Sequence, residues 1–312
     1  LKSTLEGFGE GLLEAARERK DLILLHADMD AVPIIDPFVS NFPGRAINCG
    51  VSEQDMIMTA AGLALGGKMP VVLSCSAFLT TRAFDQIRTC LAIPGLQAIL
   101  AGTHAGLSAG EEGVSHQMNQ DIALMRSLPN MSVLVPADAA SSSESVSLSL
   151  DHPGPVYLRL GADRVPDTCT DRNADVRAGS GRLLREGDGI TICACGIMVH
   201  EALKAAEILS QQGISAEVID CFSIKPLPSQ QILASLRRTG CCVVAEEHNL
   251  IGGLGEAVAS LSASENPVPV RCVAISDRYG QSGAPRELQE YYGLTFREIV
   301  GESAQAWSMR RR

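Results

Sequence analysis

"AINCGVSEQDMIMTAAGLALGGK", residues 46–68, changes character twice. A β-leaning run ends at Ile47, a turn follows around Gly50, and from Glu53 onward small and apolar residues read as a helix. Strand, turn and helix in that order form half of a βαβ unit, which needs a sheet to bury the strand. The same stretch raises a chemical question, because Glu53 opens the helix among Val51, Met56, Ile57 and Met58. A carboxylate at a helix N-terminus is satisfied by the macrodipole. A carboxyl enclosed by apolar atoms instead keeps its proton more readily. The residues alone leave both readings open.

Working outward, the alternation repeats. "LEGFGEGLLEAARERK" places Leu5, Phe8, Leu12, Leu13 and Ala16 on one helical face, and "DLILLHAD" follows as a buried strand. "MPVVLSCSAF", "LQAILAG", "MSVLVPAD" and "GPVYLRL" are further short apolar runs, separated by helical stretches or Gly-rich loops. Ser141 to Ser149 reads as a Ser-rich helix face. After the "GADRVPDTCTDRNADVRAGSG" stretch, which loses the apolar period, a second set follows: "GITICACG", "MVHEALKAAEILSQQG", "SAEVIDCF", "SQQILASLRR", "CCVVAEE", "GGLGEAV" and "VPVRCVAI". The expected fold is α/β with two domains, each a mostly parallel sheet flanked by helices. The expected boundaries are 1–165 for the first domain, 166–182 for the linker and 183–312 for the second, smaller domain. Ligands of such sheets sit at strand C-terminal ends.

The 312 residues suit two domains at about 100–200 residues each. A hydrophobic share of 46% is enough for substantial cores. The formal charge of -10 works against non-specific attraction to phosphate backbones, so a small molecule or a protein is the expected partner rather than nucleic acid. The 10 cysteines fall mostly inside apolar runs, without the paired spacing of a zinc site and without a secretory leader, which points to reduced thiols in the cytoplasm. Cys193 with Cys195, and Cys241 with Cys242, are the pairs for which metal binding is the alternative to burial. No apolar run approaches the roughly 20 residues that span a bilayer.

Three segments follow strands and carry candidate chemistry: Gly50 to Met56, "SAFLTTRAFDQIR" from Ser76 to Arg88, and "AGTHAGLSAGEEGVSHQ" from Ala101 to Gln117. Together with "FPGRAINCGVSEQDM", "VHEALKAAEIL", "FSIKPL" and "GGLGEAV", in this order over nearly the whole chain, they resemble the C-terminal half of the transketolase family. That half comprises a pyrimidine-binding domain and a C-terminal domain. The family uses thiamine diphosphate to transfer a two-carbon ketol unit.

The resemblance implies roles. Glu53 matches the glutamate that bonds N1′ of the cofactor's aminopyrimidine, promoting the imino tautomer whose exocyclic nitrogen removes the thiazolium proton. Phe78 matches an aromatic stacked on the pyrimidine, although counting back from Arg82 gives Leu79 instead. Aromatic faces are the better stacking partners, which favours Phe78. His104 and His116 match two histidines facing the reacting centre, where imidazoles bind hydroxyls and relay protons. Glu112 stands where many members have an Asp that contacts a donor hydroxyl. Asp28 matches an acidic position near the cofactor, with turn capping as the ordinary alternative.

Two features depart from the family. A full transketolase binds the diphosphate through Mg²⁺ with a GDG motif and paired asparagines. The only GDG here, Gly187 to Gly189, sits in the turn "REGDGITI", and no Asn-Asn pair occurs. The resemblance therefore implies a separate N-terminal-type subunit that supplies the metal ligands, with the cofactor between chains in an α₂β₂ heterotetramer. The other departure is the acceptor-phosphate arginine after "PVYLRL", whose place falls near Gly161, Ala162 and Asp163, with Arg159 and Arg164 displaced from it. The first loop, "ADMDAVPIID", also lacks a matching serine. An acceptor other than an ordinary pentose phosphate is expected.

The alternatives are the β subunit of a 2-oxo acid dehydrogenase E1 component, or a docking subunit without catalysis. In the second domain, Glu246, Glu247 and His248 read as structural and interface residues, with His248 the candidate to approach a neighbouring subunit's site. The terminal "WSMRRR" reads as a solvated end.

Overall fold

Leu5, Phe8, Leu12 and Ala16 lie buried along one side of α1 (Thr4–Glu18), which Ser3 and Glu6 open with a reciprocal capping box. The structure, a computed structural model, describes residues 1–29, 33–168 and 177–310. The glycines of α1 let it approach α7 (Ala139–Asp151) closely: a Cβ on Gly11 would stand 2.7 Å from the backbone oxygen of Ser143. Ser141, Ser142, Ser145 and Ser149 are buried, and each hydroxyl donates to a backbone carbonyl. Small hydroxyls that bond their own helix can be buried where two helices nearly touch.

Among the described residues two sheets form. The first contains β1 (Leu22–His26), β2 (Ala46–Asn48), β3 (Met69–Cys75), β4 (Ala98–Thr103), β5 (Ser132–Leu134), β6 (Pro155–Arg159) and β10 (Ser223–Lys225). Their order is β10-β5-β6-β4-β3-β1-β2. The second contains β7 (Arg182–Arg185), β8 (Ile190–Ala194), β9 (Ala216–Asp220), β11 (Cys242–Asn249) and β12 (Val270–Ile275), in the order β12-β11-β8-β9-β7. Of these, only the edge strands β10 and β7 run antiparallel to their neighbours. Every residue of β3 and β4 is buried, which is why they read as unbroken apolar runs. The α/β class with two mostly parallel sheets is thus the observed one.

Helices cover both sheets. Around the first are α2 (Ile35–Asn41), α3 (Glu53–Leu65), α4 (Ser76–Arg82), α5 (Phe84–Gln86) and α6 (Asp121–Ser127). Around the second are α8 (Met198–Gln211), α9 (Ser229–Thr239), α10 (Leu254–Glu265), α11 (Pro285–Tyr291) and α12 (Phe296–Met309). The sheets are not independent: one apolar cluster joins Val72, Leu100 and Met125 to Cys193, Ile219, Val244 and Leu254. β10, from the second half of the chain, also completes the first sheet by pairing with β5. Of the expected linker 166–182, residues 169–176 lie outside the described residues, as do 30–32 of the loop after β1.

The turn reading of Gly187 to Gly189 holds, since they lie between β7 and β8. Of the terminal stretch 307–312, residues 311–312 lie outside the described residues, while Trp307 packs partly buried on the second core, with the Arg310 guanidinium 4.4 Å over its ring. The four cysteines of the CxC and CC pairs are buried free thiols. Among the described residues, no group of three or more His, Cys, Asp or Glu side chains could hold a metal. No described helix is long and apolar enough to cross a membrane.

Candidate active site

Five neighbouring strands of the first sheet, β6, β4, β3, β1 and β2, end on the same side, and a cavity of about 720 Å³ opens there. Asp28 follows β1, Glu53 lies past β2, Phe78 is in the helix after β3, and His104 follows β4. His116 and Glu112 come from the loop beyond His104. All six line this one cavity. Strand C-terminal ends collect them because parallel strands deliver their outgoing loops to one edge.

Glu53 is buried, 2% exposed, and its surroundings are less apolar than its sequence neighbours suggest. Arg82 donates from Nη1 to Glu53 Oε2 at 2.8 Å. Val51 is exposed to the cavity that Glu53 lines and Met58 is exposed on the helix, while Met56 and Ile57 are buried. The guanidinium of Arg82 also lies 4.5 Å over the Phe78 ring, a cation–π contact that orients both. Phe78 and His116 meet edge to face, with ring centroids 5.0 Å apart. Leu79 is fully buried in the core, so of the two candidates Phe78 is the one that faces the cavity.

His104 holds a left-handed backbone, φ 53°, and its Nδ1 lies 3.0 Å from Thr103 Oγ1. Burial lowers its pKa below the ordinary histidine value; Glu112 opposes this and His116 adds to it. A neutral imidazole near neutral pH can accept or donate a hydrogen bond. His116 Nδ1 lies 3.0 Å from Ser115 Oγ. Asp28 is also left-handed, φ 54°, and Asn48 fixes it by accepting from its backbone N–H at 3.2 Å and donating to Oδ1 at 3.3 Å. Two non-glycine residues with positive φ, both at strand ends and both in the cavity wall, are the strain expected where a site over-determines its backbone.

Other lining residues carry no mark in the sequence. The α1 residues Leu5, Gly9 and Leu13, with Met29 and Ile34, form an apolar wall. Lys2 pairs with Glu10 at 2.5 Å and Arg164 with Glu6 at 2.7 Å, all four at the cavity edge. Ala162 faces the cavity where the family resemblance would put a phosphate-binding arginine. Nothing in the periodicity of α1 marks it as a cavity wall, since the contact depends on the α1 to α7 packing.

Arg159 points away from the cavity and is buried. It donates from Nε to Asp121 Oδ2 at 2.8 Å and from Nη2 to the Glu247 backbone oxygen at 2.9 Å. His248 is fully buried inside the chain, within 2.7 Å of the Asn249 oxygen, so it does not reach out toward a neighbour. Glu246 accepts from the backbone N–H groups of Leu254 and Gly255, both at 2.7 Å, and so caps α10.

Comparison with known proteins gives the same assignment for both halves. The sequence model of the transketolase pyrimidine binding domain matches residues 2–166, and that of the transketolase C-terminal domain matches 179–299. The chain is 41% identical to the 6-deoxy-6-sulfo-D-fructose transketolase subunit SqwH of Clostridium sp. strain MSTE9, over 93% of this chain and 89% of that one. It is 35% identical to an apulose-4-phosphate transketolase subunit of Phocaeicola vulgatus, over 93% and 92%. A solved structure described as a split gene transketolase, inactive beta4 tetramer, superposes with a TM-score of 0.90 at 40% identity, covering 99% of both chains. By its fold, its two domain matches and these relatives, the chain belongs to the transketolase family.

Proposed function

We propose that this chain is the β-type subunit of a split, thiamine diphosphate-dependent transketolase, transferring a two-carbon ketol unit from a ketose to an aldehyde. The observation that carries this reading is the convergence of Asp28, Glu53, Phe78, His104, Glu112 and His116 on one cavity. The residues fit the pyrimidine half of the cofactor: Phe78 offers a ring face, and Glu53 a carboxylate that is 2% exposed. The cofactor, when bound, supplies the carbanion chemistry that cleaves and forms carbon–carbon bonds. Glu53 holds a proton at the pyrimidine nitrogen, with Arg82 fixing its other oxygen. His104 and His116 bind substrate hydroxyls and move protons there, and Glu112 accepts from a donor hydroxyl. Asp28 lies at the cofactor side of the cavity.

Diphosphate and Mg²⁺ are assigned to an N-terminal-type partner subunit, because the GDG of this chain lies in the turn between β7 and β8 and the sequence has no Asn-Asn pair. The proposed assembly is α₂β₂ in the cytoplasm, with a domain boundary within 166–182. Support for a covered surface comes from Met58 and Leu65, exposed apolar residues on the helix that Glu53 opens. The β₄ form of the similar split transketolase is described as inactive, in keeping with a half-site that needs a partner. The acceptor is proposed to be other than an ordinary pentose phosphate, since Ala162 offers no phosphate donor.

The deciding experiment measures thiamine diphosphate and Mg²⁺ binding by this chain alone and mixed with its N-terminal-type subunit, together with ketol transfer. Binding and turnover only in the mixture support the reading. Tight binding by this chain alone would overturn the partner assignment, and decarboxylation of a 2-oxo acid would overturn the reaction.

A further inference from the structure

The loop that bears His104, Glu112 and His116 is closed by a two-hydrogen-bond bridge. Gly106 N donates to Met118 O at 2.6 Å and Met118 N to Gly106 O at 2.9 Å. Each histidine stands two residues before one member of the bridge, so the bridge sets how far apart the imidazoles sit. Both arms are gripped there from behind. Glu247 Oε1, on β11 of the second sheet, accepts from Leu107 N at 3.1 Å, and Arg159 Nη2 donates to Met118 O at 3.3 Å. The two gripping residues also hold each other, through the Glu247 backbone oxygen at 2.9 Å and an ion pair at 3.8 Å. A Cβ on Gly106 would run into the Glu247 carboxylate, so this close approach requires a glycine, and φ is 66° there.

The grip extends to the aromatic side of the cavity. Asp121 Oδ2 accepts from Arg159 at 2.8 Å, from Tyr157 at 2.7 Å and from Ser76, the first residue of the helix bearing Phe78, at 3.2 Å. One guanidinium thus serves two buried carboxyls. Burial opposes ionisation of Asp121, yet Arg159, His248 and Tyr157 together hold its pKa below the ordinary value. Burial pushes Glu247 up to about 8, with Arg159 pulling the other way and Asp163 and Asp121 adding to the rise. This division follows from geometry, since Asp121 has the direct hydrogen bond and Glu247 the longer ion pair.

We propose that Glu247 is a positioning residue for the reaction, gripping the histidine loop from the second domain together with Arg159 and so setting His104 against His116. The catalytic consequence rests on the ketol-transfer reading; the grip itself does not. It gives the second domain a part in the chemistry without any of its described side chains lining the cavity.

The test uses the full chain, alone and in complex with the partner subunit, as wild type, Glu247→Ala and Glu247→Gln. Glutamine keeps an oxygen for Leu107 N–H but cannot ionise. For Glu247→Ala, amide hydrogen exchange across 104–118 should rise by roughly tenfold, as expected for loss of a buried hydrogen bond, while β3 exchange stays unchanged. In the complex kcat should fall by at least about tenfold at unchanged cofactor affinity. Glu247→Gln should restore both at pH 7 and lack the alkaline inflection near pH 8 expected of wild type from the buried Glu247 carboxyl. Unchanged loop exchange in Glu247→Ala, or a rise spread evenly over the chain, overturns the proposal. So does a Glu247→Gln variant that behaves like alanine or keeps the inflection. If Glu247→Ala does not fold, the Glu247→Gln pH profile and loop exchange decide by the same criteria. If the wild-type complex transfers no ketol unit, the reaction reading fails, and hydrogen exchange still decides the grip.

Discussion

Arg82 donates from Nη1 to Oε2 of Glu53 at 2.8 Å, and the same guanidinium covers the Phe78 ring at 4.5 Å. The acid proposed to act on the pyrimidine and the ring proposed to stack on it are therefore held by one cation. Removing that cation leaves a buried carboxylate without its ion partner. Arg82→Ala should cost roughly 1–3 kcal/mol, toward the low end because its side chain is 44% exposed and solvent-screened. Glu53→Gln keeps an acceptor for Arg82 and should cost less stability, yet reduce ketol transfer by about 10²–10⁴-fold. A double-mutant cycle in urea isolates the pair. Additive losses would mean that the two side chains do not interact in solution.

The pH response of His104 follows from its surroundings. Burial holds its pKa below the ordinary value, with Glu112 opposing and His116 adding. The imidazole is therefore neutral at a lower pH than a free histidine. Glu112→Gln removes the carboxylate that opposes the shift, so it should lower the His104 pKa further and extend the neutral form to more acid pH. NMR titration of the His104 ring in wild type and variant reads this directly. An upward shift would show that Glu112 does not act on His104 through its charge.

Stability should fall as pH rises through neutrality. Burial pushes Asp220 up to about 7, against Arg182, and Glu247 up to about 8, against Arg159. For both acids the folded value lies above the unfolded one, so the native state binds the extra proton. Their contribution is complete below the unfolded carboxyl values, near pH 4, and is lost as pH rises through about 7 and 8. On the acid side, burial lowers His104, His152 and His200, and this penalises the fold as pH drops below the ordinary histidine range. Urea denaturation from pH 5 to 9 should thus show an optimum on the acid side of neutrality. Asp220→Asn and Glu247→Gln should each flatten the alkaline limb, and an unchanged limb in both would refute this origin.

Much of the fold is legible in the chain because parallel strands buried on both faces leave unbroken apolar runs, and "MPVVLSC" forms β3. Glu53, Phe78, His104 and His116 are legible because each sits in a distinctive local string, and the cavity brings them together. What the sequence hides depends on long-range packing. β10 joins the first sheet although it is encoded in the second half, and short strands carry no mark of their partner. The serines of α7 read as a polar face, yet glycines on a distant helix admit them to a buried contact. Arg159 sits on an all-buried strand, so its period cannot say which partner it meets. Glu246, Glu247 and His248 read alike as structural residues, and only the fold shows Glu247 reaching Leu107.

Assembly with a partner should depend on the exposed face of α3. Met58 is 48% exposed and Leu65 75% exposed on the helix that Glu53 opens. Met58→Asp leaves the core untouched, so the isolated chain should melt within about 0.5 kcal/mol of wild type. A charge at the centre of an apolar contact should weaken the complex by roughly 2 kcal/mol or more. Sedimentation of the variant with and without the partner subunit distinguishes the outcomes. Undiminished assembly would place the partner elsewhere on the surface.

Acceptor choice should turn on position 162. Ala162 lines the cavity, and the nearby Arg164 is occupied by Glu6 at 2.7 Å. Ala162→Arg would place a planar donor in that wall, where a bidentate contact to phosphate becomes available. The KM for ribose 5-phosphate should fall by roughly tenfold, while kcat and KM for an unphosphorylated aldehyde of the same length stay within error. The comparison needs both acceptors, because a general improvement in folding or assembly would change the two alike. If wild type already prefers ribose 5-phosphate strongly, another group on this chain or its partner binds the phosphate, and the proposed substrate class is wrong.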